Sequence, residues 1–73
     1  MNNAQMDTMR YMMNSIYYRY RTYKKILSSD KKAFMKLYND YHDMGGNTWI
    51  DNLYNEVKCW EIVEDESELK IDN

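Results

Sequence analysis

Apolar residues in the first third of the chain recur every three or four positions, the spacing that aligns side chains along one side of an α-helix. The steps between them are 3, 4, 3, 4, 3 and 4, and the stripe consists of Met6, Met9, Met13, Ile16, Tyr20, Tyr23 and Leu27. On a helix these positions fall within an arc of roughly 100°. The pattern therefore predicts a long first helix from about Asn3 to Ile26 or Leu27.

A second, shorter helix is predicted after the sequence Ser-Ser-Asp. Ser29 or Asp30 fits an N-cap, because a short side-chain oxygen can accept a free backbone N–H at the start of a helix. We expect this helix over about 31–44. Its inward side would carry Phe34, Leu37, Tyr38, Tyr41 and Met44.

The only glycines of the chain, Gly45 and Gly46, mark the end of the second helix. Glycine readily takes the left-handed conformation that ends many helices, and Asn47 or Thr48 could cap the helix that follows. Thr48 with Asp51 also resembles a capping box. A third helix is predicted from Trp49 to about Trp60, with its inward side formed by Ile50, Leu53, Tyr54, Val57 and Trp60.

These elements indicate an all-α fold, a small three-helix domain in which one long N-terminal helix is followed by a shorter helical hairpin. The end of the chain is rich in acids and poor in apolar residues, so we expect an acidic, disordered tail over 65–73. The single helical domain would then cover 1–64. A chain of 73 residues can build only a thin core.

Charge divides the chain more sharply than its net charge of −2 suggests. Residues 1–38 hold eight of the ten lysines and arginines, whereas residues 39–73 hold ten of the twelve acids. The halves could neutralise each other within the fold. Alternatively, they could attract a nucleic acid, a basic protein or a second copy of the chain.

The sequence "IYYRYRTYKK" at 16–25 combines aromatic rings with cations, a composition that suits phosphate contact and base stacking. Tyr20 and Tyr23 belong to the apolar stripe and are expected in the core, while Tyr11 and Tyr18 fall on the far side. The candidate nucleic-acid-binding residues are therefore Arg10, Tyr17, Arg19, Arg21, Lys24 and Lys25. A solvated helix face is the alternative interpretation of these cations.

Helix lengths predict an uncovered methionine surface. A first helix of about 24 residues would be roughly 36 Å long, and the later helices would reach only about 20 Å. The candidate protein-binding residues at the uncovered end are Met6, Met9, Met12 and Met13, because methionine surfaces adapt to many partners. We expect a homodimer through helix 1, a different protein partner at this surface, or a frayed N-terminus.

Few residues suit catalysis or metal binding. The chain has one cysteine, Cys59, and one histidine, His42, so it cannot form a zinc site of four cysteine and histidine ligands. Both are expected on the surface. We predict no enzyme activity, no cofactor and no metal. The absence of a signal-like segment or a long apolar run favours a cytoplasmic protein without a membrane span.

The segment from Phe34 to Asp65, "FMKLYNDYHDMGGNTWIDNLYNEVKCWEIVED", resembles small uncharacterised proteins of bacteriophages and prophages. Their shared pattern is a helix ending in Gly-Gly-Asn, followed by a second amphipathic helix. The resemblance implies a phage-type accessory protein in the host cytoplasm. Many such proteins occlude a host enzyme, and the anti-CRISPR inhibitors are the best known of them.

The leading hypothesis is a non-enzymatic inhibitor or adaptor that binds another protein, such as a host or defence enzyme acting on nucleic acid. Besides the methionines, its contact would use the acidic residues Glu56, Glu61 and Glu64, since an acidic surface can occupy a nucleic-acid groove on a basic enzyme. The alternative is a small nucleic-acid-binding regulator that uses the basic, tyrosine-rich face of helix 1.

Overall fold

A computed structural model of the protein describes residues 3–71. Within this range the elements follow in the order α1 (Asn3–Tyr20), β1 (Lys25–Leu27), α2 (Ser28–Asp43), α3 (Trp49–Val57), β2 (Glu61–Val63) and a 3-10 helix (Glu66–Glu68). The mostly helical domain with three α-helices is confirmed. The prediction of a purely all-α fold is wrong, because two short strands form a parallel sheet.

The two strands join segments that are far apart in sequence. Lys25, Ile26 and Leu27 lie opposite Glu61, Ile62 and Val63, in that order. Parallel strands need a long crossover connection, and here α2 and α3 provide it. The sheet therefore ties the basic half of the chain to the acidic half.

Helix α1 ends at Tyr20 rather than at Ile26 or Leu27. The Tyr20 carbonyl accepts hydrogen bonds from Tyr23 N–H at 3.0 Å and Lys24 N–H at 3.1 Å. Lys24 then takes a left-handed conformation with φ of 54°, which turns the chain out of the helix. The strand that follows bonds to β2, and this pairing replaces the helical hydrogen bonds that residues 25–27 would otherwise make.

Helix α2 begins at Ser28, three residues before the predicted start at 31, and its N-cap Leu27 provides no side-chain hydrogen bond. Neither Ser29 nor Asp30 is the cap. The Asp30 carboxylate instead accepts a hydrogen bond from the Tyr20 hydroxyl at the end of α1. This side-chain hydrogen bond joins the end of α1 to the first turn of α2, and it gives the acid in that turn a structural role.

The Gly-Gly-Asn segment behaves largely as predicted. Gly45 has φ of 82°, so the left-handed end of α2 is confirmed. Asn47 Oδ1 accepts the Trp49 N–H at 3.1 Å, which satisfies one free donor at the start of α3. The predicted capping box of Thr48 and Asp51 is wrong, because Thr48 makes no side-chain cap hydrogen bond.

The third helix is shorter than predicted, because α3 ends at Val57. Trp60, predicted as its last residue, lies in the turn that leads into β2 and is buried there. The core confirms the helical phase of all three helices. It is built from Met6, Met13, Tyr17, Tyr20, Ile26, Phe34, Tyr41, Ile50, Leu53, Val57 and Trp60.

Tyrosine hydroxyls join the helices through carboxylates. Tyr17 donates to Glu56 at 2.7 Å, linking α1 to α3, and Tyr38 donates to Asp51 at 2.6 Å, linking α2 to α3. The Tyr38 ring also stacks on Tyr54 with 4.0 Å between the ring centroids. Acids of the second half of the chain therefore serve as acceptors inside the fold.

Candidate protein-binding surface

An exposed row of acids follows α3 and forms the strongest candidate for a contact surface. We call residues 61–68 the acidic edge; they comprise β2 and the 3-10 helix. Its exposed acids are Glu61, Glu64, Asp65, Glu66 and Glu68. The segment is anchored, because Val63 is 2% exposed and the Leu69 side chain packs against the core.

The 3-10 helix holds its own acids in place through a reciprocal capping box. Asp65 Oδ1 accepts the Ser67 N–H at 2.9 Å, and this hydrogen bond lowers the pKa of the Asp65 carboxyl. In return, Glu68 Oε2 accepts the Asp65 N–H at 2.9 Å and the Glu64 N–H at 3.1 Å. The acids of this segment are therefore carried on a folded backbone.

This geometry differs from the predicted disordered tail over 65–73. The described part of that tail carries the 3-10 helix and the half-buried Leu69. The spacing of Asp65 and Glu68 fits a capping box, but the acidic composition of the segment led to the prediction of disorder. Residues 72 and 73 lie outside the described range, and the division into a domain over 1–64 and a separate tail stays a prediction.

Two shallow clefts lie beside the acidic edge. One, of about 380 Å³, is lined by Thr22, Tyr23, Lys24, Lys25, Glu61 and Ile71. The other, of about 410 Å³, is lined by Leu27, Ser28, Ser29, Lys32 and Glu64. Each cleft places lysine beside one acid of the edge, so Glu61 and Glu64 lie where the two charge halves of the chain meet.

The predicted methionine surface is largely covered within the chain. Met6 is 8% exposed and Met13 fully buried, Met9 is half-buried, and only Met12 is exposed. The cause is length, because α1 has 18 residues and α2 has 16, which correspond to about 27 and 24 Å. Within residues 3–71 the large length difference from which a homodimer through helix 1 was expected is not found, and the homodimer stays a prediction.

Glu56 lies apart from the acidic edge. It is an exposed residue of α3, yet its carboxylate accepts the Tyr17 hydroxyl, and this hydrogen bond raises the pKa of Tyr17. The Tyr17 ring in turn stacks on Trp60 with 5.5 Å between the centroids. Glu56 therefore stabilises the packing of α1 on α3, and Glu61 and Glu64 are the predicted acids that lie on the edge.

The structure separates the candidate nucleic-acid-binding residues into internal and exposed groups. Tyr17 is buried, and Arg10 donates to the Tyr41 hydroxyl at 3.2 Å, a hydrogen bond that raises the pKa of Arg10. Lys25 Nζ donates to the Lys70 carbonyl at 3.1 Å. These three side chains therefore take part in contacts within the fold.

Three other cations of the candidate set are exposed near the end of α1. Arg19 pairs with Asp30 at 3.4 Å, while the Arg21 guanidinium lies over the Tyr18 ring, 4.9 Å from its centroid. Lys24 follows in the turn. The basic surface that remains is centred on Arg21 and Lys24, and Tyr18 is its exposed aromatic ring.

The described residues offer little for metal chemistry. Within residues 3–71 no three side chains of the histidine, cysteine and acid types gather closely enough to hold a metal ion. His42 and Cys59 are both exposed, as predicted. In the same range, no helix has the length and apolarity needed to cross a membrane.

Comparisons with known proteins add no relative. The sequence matches no protein-family model, and no curated protein or solved structure shows significant similarity to it.

Proposed function

We propose that this protein is a non-catalytic inhibitor or adaptor that binds a basic protein through its acidic edge. The observation that carries the proposal is the order of this edge, in which exposed acids project from a strand and a capped 3-10 helix. Carboxylates carried on an ordered backbone lose less conformational entropy on binding than acids on a loose tail do, so they bind a basic groove better.

The setting we propose is the one that the resemblance to phage proteins implies. The partner would be a host or defence enzyme, of the CRISPR type for example, whose basic groove otherwise holds nucleic acid. Glu61, Glu64 and Glu66 would then occupy sites that phosphates use. Such a contact weakens as salt rises, because exposed charges are screened.

Charge reversal tests the acidic edge. The purified, tagged chain is used to capture proteins from bacterial lysate, and a captured basic enzyme is then assayed for nucleic-acid binding. We expect Glu64→Lys to reduce capture by about tenfold or more, as loss of a well-placed interfacial charge does. The matched control is Asp43→Lys, which changes the charge equally at an exposed site on α2.

The proposal fails if both reversals reduce capture equally, because the effect would then follow net charge instead of the acidic edge. It also fails if the captured protein keeps its full nucleic-acid binding in the presence of a saturating amount of this chain. In that case the chain would bind the enzyme without inhibiting it.

The exposed cations near the end of α1 favour a second candidate function, a small nucleic-acid-binding regulator. Arg21 and Lys24 are exposed, and the Arg21 guanidinium lies over the exposed ring of Tyr18, an aromatic side chain suited to base stacking. Labelled DNA or RNA would then bind with an affinity that falls steeply with salt, and Arg21→Glu with Lys24→Glu would abolish binding. Strong binding of this kind without any captured protein would replace the first proposal.

A further inference from the structure

Strand β2 has an open edge at Ile62. Glu61 N–H donates to the Lys24 carbonyl at 3.2 Å, so the backbone of Glu61 faces β1. In a parallel ladder the residues that face the neighbouring strand alternate, which places Val63 toward β1 as well. The N–H and C=O of Ile62 therefore point away from the sheet, and they have no hydrogen-bond partner within residues 3–71.

Two of the three residues of β2, Glu61 and Ile62, are exposed, whereas no residue of β1 is. The Ile62 side chain is 50% exposed, whereas its neighbour across the ladder, Ile26, is fully buried. An unpaired strand edge with an exposed apolar side chain is a template for a further strand. Here the edge is short, so side-chain contacts must add to the backbone hydrogen bonds.

The charges around Ile62 decide which strand fits. In the sequence Glu61 precedes it, and Glu64, Asp65 and Glu66 follow. The lysines near Glu61 and Glu64 belong to the two clefts that residues of β1, α2 and the turn before β1 help to line. A second copy of this chain would bring its own acids to the same edge, and nucleic acid would bring phosphates to it. Both are repelled, because like charges across an interface are costly. An extended segment with lysine or arginine beside apolar residues complements the edge.

We propose that a basic, extended segment of the partner protein adds to β2 as a third strand. Its backbone bonds the N–H and C=O of Ile62, an apolar side chain packs on the Ile62 side chain, and flanking cations pair with Glu61 and Glu64. The inference rests on the proposed function, since it specifies how a basic partner would bind the acidic edge.

A model peptide tests the strand addition on the full chain. The probe is a short, acetylated peptide of alternating lysine and valine, and its control carries N-methyl groups on two adjacent central residues. These groups block both edges of the peptide while its charge stays the same. We expect the control to bind about tenfold more weakly at low salt, because hydrogen bonds to Ile62 are lost.

Variants of the protein test the same contact by changing Ile62 instead of the peptide. In Ile62→Pro only the outward N–H is removed, and the bonds of Glu61 and Val63 to β1 remain, as is usual for proline on an edge strand. We expect Ile62→Pro to bind the unmethylated peptide about tenfold more weakly than Ile62→Ala does. Hydrogen exchange in the unmodified chain gives a readout that needs no substitution, since bound peptide should protect the Ile62 amide.

The outcomes separate this inference from the proposed function. If both peptides bind equally and Glu64→Lys weakens both, the acids bind cations without strand addition, and only the inference is overturned. If neither peptide binds, the inference is also overturned, and the lysate capture decides the proposed function independently. A dimer of the chain that Ile62→Pro dissociates would assign the edge to a second copy and overturn the inference.

Discussion

The chain reverses direction at two places, and both reversals use a left-handed residue to end a helix. At the second reversal, residues 44–48, Gly45 has φ of 82°; at the first, residues 21–27, Lys24 has φ of 54°. Glycine takes this conformation freely, whereas a residue with a Cβ loses about 1–2 kcal/mol. The second reversal is therefore favoured locally, and the first is imposed by contacts elsewhere.

The contacts that impose the first reversal come from the far end of the chain. Lys24 donates its N–H to Tyr20 and accepts the Glu61 N–H at its carbonyl, so the strained residue is held between α1 and β2. Local chemistry is visible in a sequence, but a partner 37 residues away is not. A helix end without glycine or proline can therefore depend on long-range pairing.

A tyrosine–aspartate hydrogen bond spans each reversal in the same way. Tyr20 donates to Asp30 across the first and Tyr38 to Asp51 across the second, and each aspartate is the third residue of its helix. A carboxylate in the first turn also interacts favourably with the helix dipole. The two reversals therefore have the same kind of side-chain hydrogen bond. They differ in the residue that takes the left-handed backbone conformation.

Gly46→Ala should have the largest effect, because the second reversal depends on the absence of a side chain as well as on a left-handed residue. A Cβ at this position would overlap the Tyr41 ring, which is 1% exposed and has little room to move. We expect a loss of about 3 kcal/mol in the free energy of unfolding, at the upper end for an overpacked core. Urea denaturation measures it.

Thr48→Ala is the control for Gly46→Ala, since the exposed Thr48 side chain makes no cap hydrogen bond and its loss should change stability by less than about 0.5 kcal/mol. A loss below about 1 kcal/mol in Gly46→Ala would contradict the prediction. The Tyr41 ring would then be able to rotate away from the turn.

Tyr38→Phe should weaken the second reversal and change its response to alkali. The hydrogen bond to Asp51, followed by burial, raises the pKa of Tyr38 from 10.0 to about 12. The folded protein thus keeps this proton to a higher pH than the unfolded chain does. Its contribution to stability is complete below pH 10 and is lost as the pH rises toward about 12.

We expect Tyr38→Phe to lose about 1–2 kcal/mol at neutral pH, as a hydrogen bond to a charged group would contribute. Between pH 10 and about 12 its stability should fall less steeply than that of the unsubstituted protein. Urea denaturation across this pH range measures both effects. Tyr11→Phe, at a tyrosine that is 72% exposed, is the control. Parallel pH curves for all three proteins would contradict the prediction.

Periodicity predicted the helical faces well, because burial follows spacing wherever a helix exists. Tyr20 is buried and Tyr18 exposed, as the stripe on α1 requires. The same spacing continues through Tyr23 and Leu27, beyond the end of the helix, so no pattern marked the change to a strand. The sheet depends on a pairing between distant segments of three residues each, and such short apolar runs fit either structure.

The candidate surface was predictable in part. The distribution of charge along the sequence indicated an acidic region that contains Glu61 and Glu64. The composition predicted disorder at Asp65 and Glu68, but these residues form a capping box. The methionine surface was inferred from helix lengths, and it followed from placing the end of α1 six or seven residues too late. The open edge of β2 could not be inferred, because neither strand was expected.

Gly45→Ala tests the left-handed backbone of the second reversal without adding a clash. Alanine at φ of 82° is strained, and the lower entropy of the unfolded alanine chain offsets part of that cost. We expect a loss of about 1 kcal/mol in urea denaturation, smaller than that of Gly46→Ala. Gly45→Asn should lose less, because asparagine tolerates this conformation. Equal losses for alanine and asparagine would contradict the argument from φ.

Lys24→Gly should have the smallest effect, and it should stabilise the protein. It places glycine at the left-handed position of the first reversal, as Gly45 already does in the second. Glycine relieves the left-handed strain, but it also raises the entropy of the unfolded chain and removes the lysine stem beside Tyr23. We expect a net gain of about 0.5 kcal/mol in urea denaturation. Lys24→Ala is the matched control, because it removes the same side chain and keeps the strain. If alanine stabilised the protein as much as glycine, the gain would come from the lost charge, and the first reversal would not be strained.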